Sequence, residues 1–228
     1  MGIAKRKKGV RYYLQSFFKN AGGKYKRIRR RPKGQPLPEH YALQVEKLQE
    51  LEKLSVEGRI ELYYGDETHV CSEGYVPYGW QFPDEDICFL SEKSYKFNCF
   101  GLINRQSECQ WKVTKENINT EFVLEFLEKF SFGIQQKTFV VLDNARIHKT
   151  KAIKERIPYW QKRGLYLFFL PPYSPHLNIA ETLWRKLKKE WLDPPDYLSA
   201  DDLAYALDRC LAEMGKGQRI NFSHFSLN

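Results

Sequence analysis

Three carboxylates far apart in the chain, Asp66, Asp143 and Glu181, stand where elements begin or end. Asp66 follows the alternating stretch RIELYY, and Asp143 closes the apolar run FVVLD. Glu181 opens a basic helix behind the proline-rich FLPPYSPHLN. Neighbouring strand ends lie ~5 Å apart, and a helix packed on the same sheet can bring a third acid to them. Clustered carboxylates raise one another's pKa. A divalent cation removes that conflict, and oxygen ligands with open water positions suit Mg²⁺ or Mn²⁺. Two such ions ~3.5–4 Å apart activate an attacking oxygen and stabilise a leaving one in phosphoryl transfer. Each acid alone also has an ordinary role. Asp66 can make a turn in GDET, Asp143 can cap the segment after it, and Glu181 can pair with Arg185 at i, i+4 near the positive end of its helix. Glu67 points away from Asp66 if the strand continues, so Asp66 is the preferred ligand of the two.

The elements that must position these acids are legible as periodicity. Residues 11–20 read as a short helix and 21–38 as an extended linker rich in Gly, Pro and bases. Tyr41, Val45, Leu48, Leu51 and Leu54 have helical spacing over 39–58, ended by Gly58. Residues 59–70 alternate as a strand, 74–82 resemble a hairpin that includes Trp80, and 86–113 offer two or three short strands. An amphipathic helix over 119–132 is capped by Asn119 or Thr120. The apolar runs 137–145 and 165–172 read as strands buried on both faces. Basic residues over 148–164 form a helix interrupted or ended near Pro158. Helices over 177–192 and 199–217 come next, the last capped by Ser199. This order predicts an α/β fold: a mixed β-sheet with flanking helices, plus a basic N-terminal arm.

Charge divides the chain. Residues 1–40 carry thirteen Lys/Arg and one acid, while the remainder is slightly acidic, for a net charge of +9 overall. A basic arm over 1–38 attached to a body over 39–228 suits a phosphate backbone. Tyr12, Tyr13, Phe17, Phe18 and Tyr25 give the arm more aromatic residues than a disordered tail carries. The five cysteines are widely spaced, with no pair at metal-ligand spacing, so they read as ordinary reduced thiols. No apolar run is long enough to span a membrane, and the basic N-terminus lacks the apolar stretch of a secretory signal.

VVLDNARIHKTKAI and FLPPYSPHLNIAETLWRKLKKEWL resemble the two signature blocks of DDE transposases of the mariner superfamily, in its bacterial insertion-sequence branch. LYYGDETHV followed by GYVPYGW resembles that branch's first-aspartate block, and GKGQRINFSHF its usual ending. The resemblance runs over nearly the whole chain. It implies an RNase H-like catalytic core in which Asp66, Asp143 and Glu181 are the catalytic, metal-binding acids, holding two Mg²⁺ or Mn²⁺ ions. It implies metal-dependent DNA cleavage and strand transfer, the cut-and-paste movement of an insertion sequence, with a preference for TA targets. The implied partners are element-end and target DNA and a second copy of the chain, with no membrane and no small-molecule cofactor. The implied location is the cytoplasm of a prokaryote, at the nucleoid. Asn144 and His148 would orient Asp143 or touch the scissile phosphate, Asn178 would brace the loop or cap the helix, and Trp184 would pack in the core. DNA phosphates would meet Lys24, Lys26, Arg27, Arg29, Arg30 and Arg31 on the arm, and Arg185, Lys188 and Lys189 on the helix. Two departures stand out. The spacing from Asp143 to Glu181 is slightly long for this branch. Its members also carry paired helix-turn-helix modules, of which residues 11–34 resemble only the last helix and linker. A truncated, inhibitory DNA-binding remnant is therefore the alternative expectation, and an RNase H-like nuclease on hybrids or junctions a third.

Overall fold

Apolar alternation builds the centre of the molecule. The computed structural model describes residues 38–72 and 95–223, all within a unit that begins at Gln35. The arm, with Lys24, Lys26, Arg27, Arg29, Arg30 and Arg31, lies outside the described residues, as do the hairpin expected around Trp80, Cys88 and the final five residues. The strands are β1 (Glu61–Cys71), β2 (Lys96–Ile103), β3 (Cys109–Thr114), β4 (Thr138–Leu142) and β5 (Leu165–Phe169). They form one mixed sheet in the order β3-β2-β1-β4-β5. β1 pairs antiparallel with β2 and parallel with β4, and β4 pairs parallel with β5. Of the segment 86–113, expected to give two or three strands, the described part from residue 95 supplies β2 and β3.

Helices cover both faces. α1 (Pro38–Val56), α4 (Ala180–Lys186) and α5 (Ala200–Ala212) pack on one face with Ile60, Leu62, Tyr64 and Val70 of β1 and its approach. α2 (Thr120–Phe132) and α3 (Lys151–Lys162) pack on the other with Tyr63, Phe100, Leu102, Val140 and Leu142. Each fully buried Leu, Val or Phe contributes ~1.5–3 kcal/mol of transfer free energy. Gly101 of β2 admits Trp184, because a Cβ there would stand 3.0 Å from the indole ring. Trp184 is 2% exposed, as core packing requires. Side-chain caps start three helices: Asn119 accepts from Phe122 N–H, Thr150 from Ile153 N–H, and Ser199 from Asp202 N–H.

Four expectations change. Asp66 does not follow the strand but lies within it, because β1 runs through to Cys71, held by pairing with β2. The apolar run after Gly164 is not buried on both faces: β5 is the outermost strand among the described residues, and four of its five residues are only half-buried. α3 passes through Pro158 to Lys162. Proline removes one backbone bond there, but Arg156, Trp160 and Arg163 all donate to Glu128 of α2 and hold the last turns. The helix expected over 177–192 is split. A 3-10 turn (Pro175–Leu177) precedes α4, and a π-helical turn (Leu187–Trp191) comes after it.

Candidate active site

Period-two geometry sets the first acid. Asp66 sits within β1, on the face shared with Tyr64 and covered by α4. Asp143 is the first residue beyond β4, which runs parallel to β1. Glu181 lies in the first turn of α4. These three side chains come from three separate elements, and all line one cavity of about 410 Å³. The rest of its wall is Asn144, Ala145, Asn178 and the loop from Leu170 to Pro175.

Its electrostatics are those of crowded carboxylates. Burial, then the charges of Glu181, Glu67 and Asp143, push the Asp66 carboxyl up from 3.8 to about 8. Asp143 goes the other way. Burial opposes its charge, but hydrogen bonds from His148 and from the Ala145 N–H outweigh burial and hold its carboxyl below the usual range. The His148 Nδ1 lies 2.9 Å from Asp143 Oδ1, and the Ala145 N–H donates to the same oxygen at 3.0 Å. His148 is buried, whereas the Asp143 side chain remains 47% exposed. One oxygen of Asp143 is thus pinned from inside while the carboxylate faces the cavity.

Asn178 ties the loop to the strand. Its side-chain N–H donates to the Gly65 carbonyl at 3.0 Å, and its side-chain oxygen accepts from the Ala180 N–H at 3.1 Å. One buried amide therefore links the residue before Asp66 to the residue before Glu181. Gly65 itself has no room for a side chain: a Cβ would come within 2.7 Å of Leu102 and Leu142. The loop is further closed by Ser174, whose carbonyl accepts from Leu177 N–H. Tyr173 at its tip has φ 59° and is 55% exposed.

Glu67, set aside on sequence grounds, does face the other side of β1, and there it approaches His148. Glu67 Oε2 and His148 Nε2 stand 3.9 Å apart. Among the described residues neither atom has a hydrogen-bond partner. Burial raises the Glu67 carboxyl, with His148 opposing the rise. The alternation of β1 gave Glu67's direction, but no sequence signal placed His148 there, because that contact depends on the 3-10 turn Arg146–Lys149.

The expected DNA-facing bases of the helix lie on its other flank. Arg185, Lys188 and Lys189, with Trp184, line a second cavity of about 320 Å³ that shares Glu181 with the first. Lys188 also donates to the Thr68 hydroxyl at 2.9 Å, tying the π-helical turn to β1. Cys71, Cys99, Cys109 and Cys210 are free thiols. Among the described residues no helix is long and apolar enough to cross a membrane.

The donor chemistry around Asp66 fits a hard divalent cation: oxygen ligands only, and a carboxyl pushed upward by burial and then by uncompensated negative neighbours. As the side chains stand, no three Asp, Glu, His or Cys groups among the described residues are gathered closely enough to hold one. The acids line a shared cavity without closing on a point.

The family model described as DDE superfamily endonuclease matches residues 61–204. A curated relative, the uncharacterized protein y4pE/y4sA of Sinorhizobium fredii (strain NBRC 101917 / NGR234), is 29% identical over 100 residues, which is 43% of this chain and 67% of that protein. Among solved structures, the Mos1 strand transfer complex aligns over 90% of this chain and 67% of that chain, with TM-score 0.53 and 16% identity. The mariner Mos1 paired end complex with Mg aligns over 83% of this chain and 60% of that one, with TM-score 0.55 and 15% identity. At such identities the likeness is one of fold: the mixed sheet with flanking helices is the RNase H-like architecture.

Proposed function

The chain belongs to the DDE superfamily endonuclease family, and from that membership we propose that it is a transposase of the bacterial insertion-sequence type, cleaving DNA and transferring strands with divalent metal. The observation that carries this reading is the convergence of Asp66, Asp143 and Glu181, from β1, the end of β4 and α4, on one cavity. These three acids are the proposed metal ligands, brought to closer spacing by side-chain rotation. Two bound Mg²⁺ or Mn²⁺ ions would supply activation of the attacking oxygen and charge stabilisation at the leaving one.

The chain's own residues do the rest. His148 holds one oxygen of Asp143, so that the carboxylate presents the other to the cavity. Asn178 keeps the strand bearing Asp66 and the helix bearing Glu181 in register. Asn144, in the same cavity wall, is the proposed contact to the scissile phosphate. Arg185 and Lys189 on the exposed side of α4 and its π-helical turn contact DNA phosphates, as do the bases of the arm. Water attacks a phosphodiester at the element end and frees a 3′-hydroxyl, which then attacks target DNA at the same acids. Phosphoryl transfer of this kind asks mainly positioning and charge stabilisation of the protein. Two copies act together on paired ends.

The test is nicking of supercoiled plasmid with Mg²⁺ or Mn²⁺, and then a search for joined strand-transfer product. The wild-type chain nicks and joins, and Asp143→Asn does neither. Cleavage without joining would point to a nuclease. Equal nicking by both proteins would sink the assignment of the acids, and DNA binding with no cleavage by either would leave only a binding remnant.

A further inference from the structure

A larger cavity, of about 610 Å³, lies on the other side of the proline loop. It shares Asn144, Leu170, Pro171 and Pro172 with the acid cavity, so the two are neighbours across one thin wall. Their chemistry is opposite. The acid cavity holds three carboxylates, whereas the described residues around the larger one include none. Its charged groups are Lys47 of α1 and Lys149 of the 3-10 turn, both exposed, and its floor is the apolar run from Leu167 to Pro172. Lys149 Nζ lies 5.0 Å from the centre of the Phe169 ring, which keeps that ammonium at the apolar wall. Leu167 to Phe169 of this floor belong to β5, the outermost strand among the described residues, whose outer backbone edge pairs with no other strand there.

Cations beside a half-buried aromatic surface suit an unpaired nucleotide: the phosphate is neutralised and the base lies against rings and prolines. The volume lies within the range of small-ligand sites. Resting on the proposed function, we infer that this cavity receives one unpaired nucleotide next to the phosphate being cut. Lys47 and Lys149 take its phosphate, and Phe168, Phe169 and Pro172 take its base. Duplex DNA cannot enter, because a base stacked between its neighbours in a duplex offers no free face. The site therefore favours ends that fray or are already nicked, and it would hold the departing strand away from the acids.

The experiment uses the full chain and a fluorescein-labelled hexathymidylate, with anisotropy read against salt and no added metal. The Lys47→Gln/Lys149→Gln double variant is expected to bind it about tenfold more weakly, with the salt slope reduced by about 0.7, as for one single-strand phosphate contact. Affinity for a short blunt duplex should change less than twofold. Lys129→Gln, in an exposed pair with Glu125 on α2, should match wild type. A 5-iododeoxyuridine oligonucleotide should photocrosslink within the peptide carrying Phe168 and Phe169. Equal loss of duplex and single-strand affinity would overturn the inference, as would a crosslink confined to other peptides. Asp143→Asn should retain hexathymidylate binding. If wild type binds this way but nicks no plasmid, the proposed catalysis fails and the nucleotide site stands. If it nicks while the lysine pair is without effect on hexathymidylate, the reverse holds.

Discussion

At the scale of residues, the site is a balance between crowding and compensation. Asp66 is the strained member, with its carboxyl raised to about 8 against 3.8 in an exposed position. The folded protein therefore binds this proton more tightly than the unfolded chain, and stability falls as pH rises from 3.8 to about 8. In metal-free protein Asp66→Asn should raise the Tm at pH 8 by several degrees, on the order of 5 °C, with no gain at pH 4. Adding Mg²⁺ at pH 8 should stabilise wild type and leave Asp66→Asn unmoved. Thermal melts at the two pH values check both statements, and a Tm difference independent of pH would refute the linkage. His148 acts through Asp143. His148→Ala should weaken Mn²⁺ binding and lower the nicking rate by ~10–100-fold, measured by calorimetry and plasmid nicking, while His148→Asn, which can still donate to Asp143, should recover part of the loss.

At the scale of elements, two connections decide whether the acids stay together. Asn178 bridges β1 and the start of α4 through one buried amide. Asn178→Ala leaves the Gly65 carbonyl and the Ala180 N–H without that partner, at a cost of about 1–3 kcal/mol. Urea unfolding should show this loss, and kcat should fall more than stability alone explains. The 3-10 turn after Asp143 is the second connection, since it alone brings His148 back under the carboxylate. Pro158 tests the opposite case, an element far from the acids. It is exposed within α3, where proline costs up to ~3 kcal/mol relative to alanine. Pro158→Ala should stabilise the protein by about 1–3 kcal/mol with no change in nicking. A destabilised variant would mean that the Glu128 network depends on the bend proline imposes.

At the scale of the whole molecule, charge is divided between the arm and the body. The arm's bases are proposed phosphate contacts, and neutralising Arg27, Arg29, Arg30 and Arg31 together should weaken duplex binding. The slope of log affinity against log salt should fall by about 3.6, if all four contact phosphates. An unchanged slope would remove the arm from the interface. The mixed sheet gives the body its part in this. Parallel β1 and β4 deliver Asp66 and Asp143 toward one end, and the helix after the proline loop packs on the same face.

The sequence by itself determined which residue types could do this chemistry and most of the elements that carry them. Helical spacing over 39–58, the apolar FVVLD run and the caps at Asn119 and Ser199 are local patterns, and local patterns survive reading one residue after another. Tertiary contacts decided the rest. β1 continues past Asp66 because β2 supplies its ladder; β5 is half-buried because nothing described pairs with its outer edge. α3 outlasts its proline because Glu128 holds its end. Each outcome depends on a partner distant in the chain, and no periodicity in the segment itself encodes where that partner will be. The meeting of Glu67 with His148, and of two oppositely lined cavities across a proline wall, belongs to the same class: proximity created by packing.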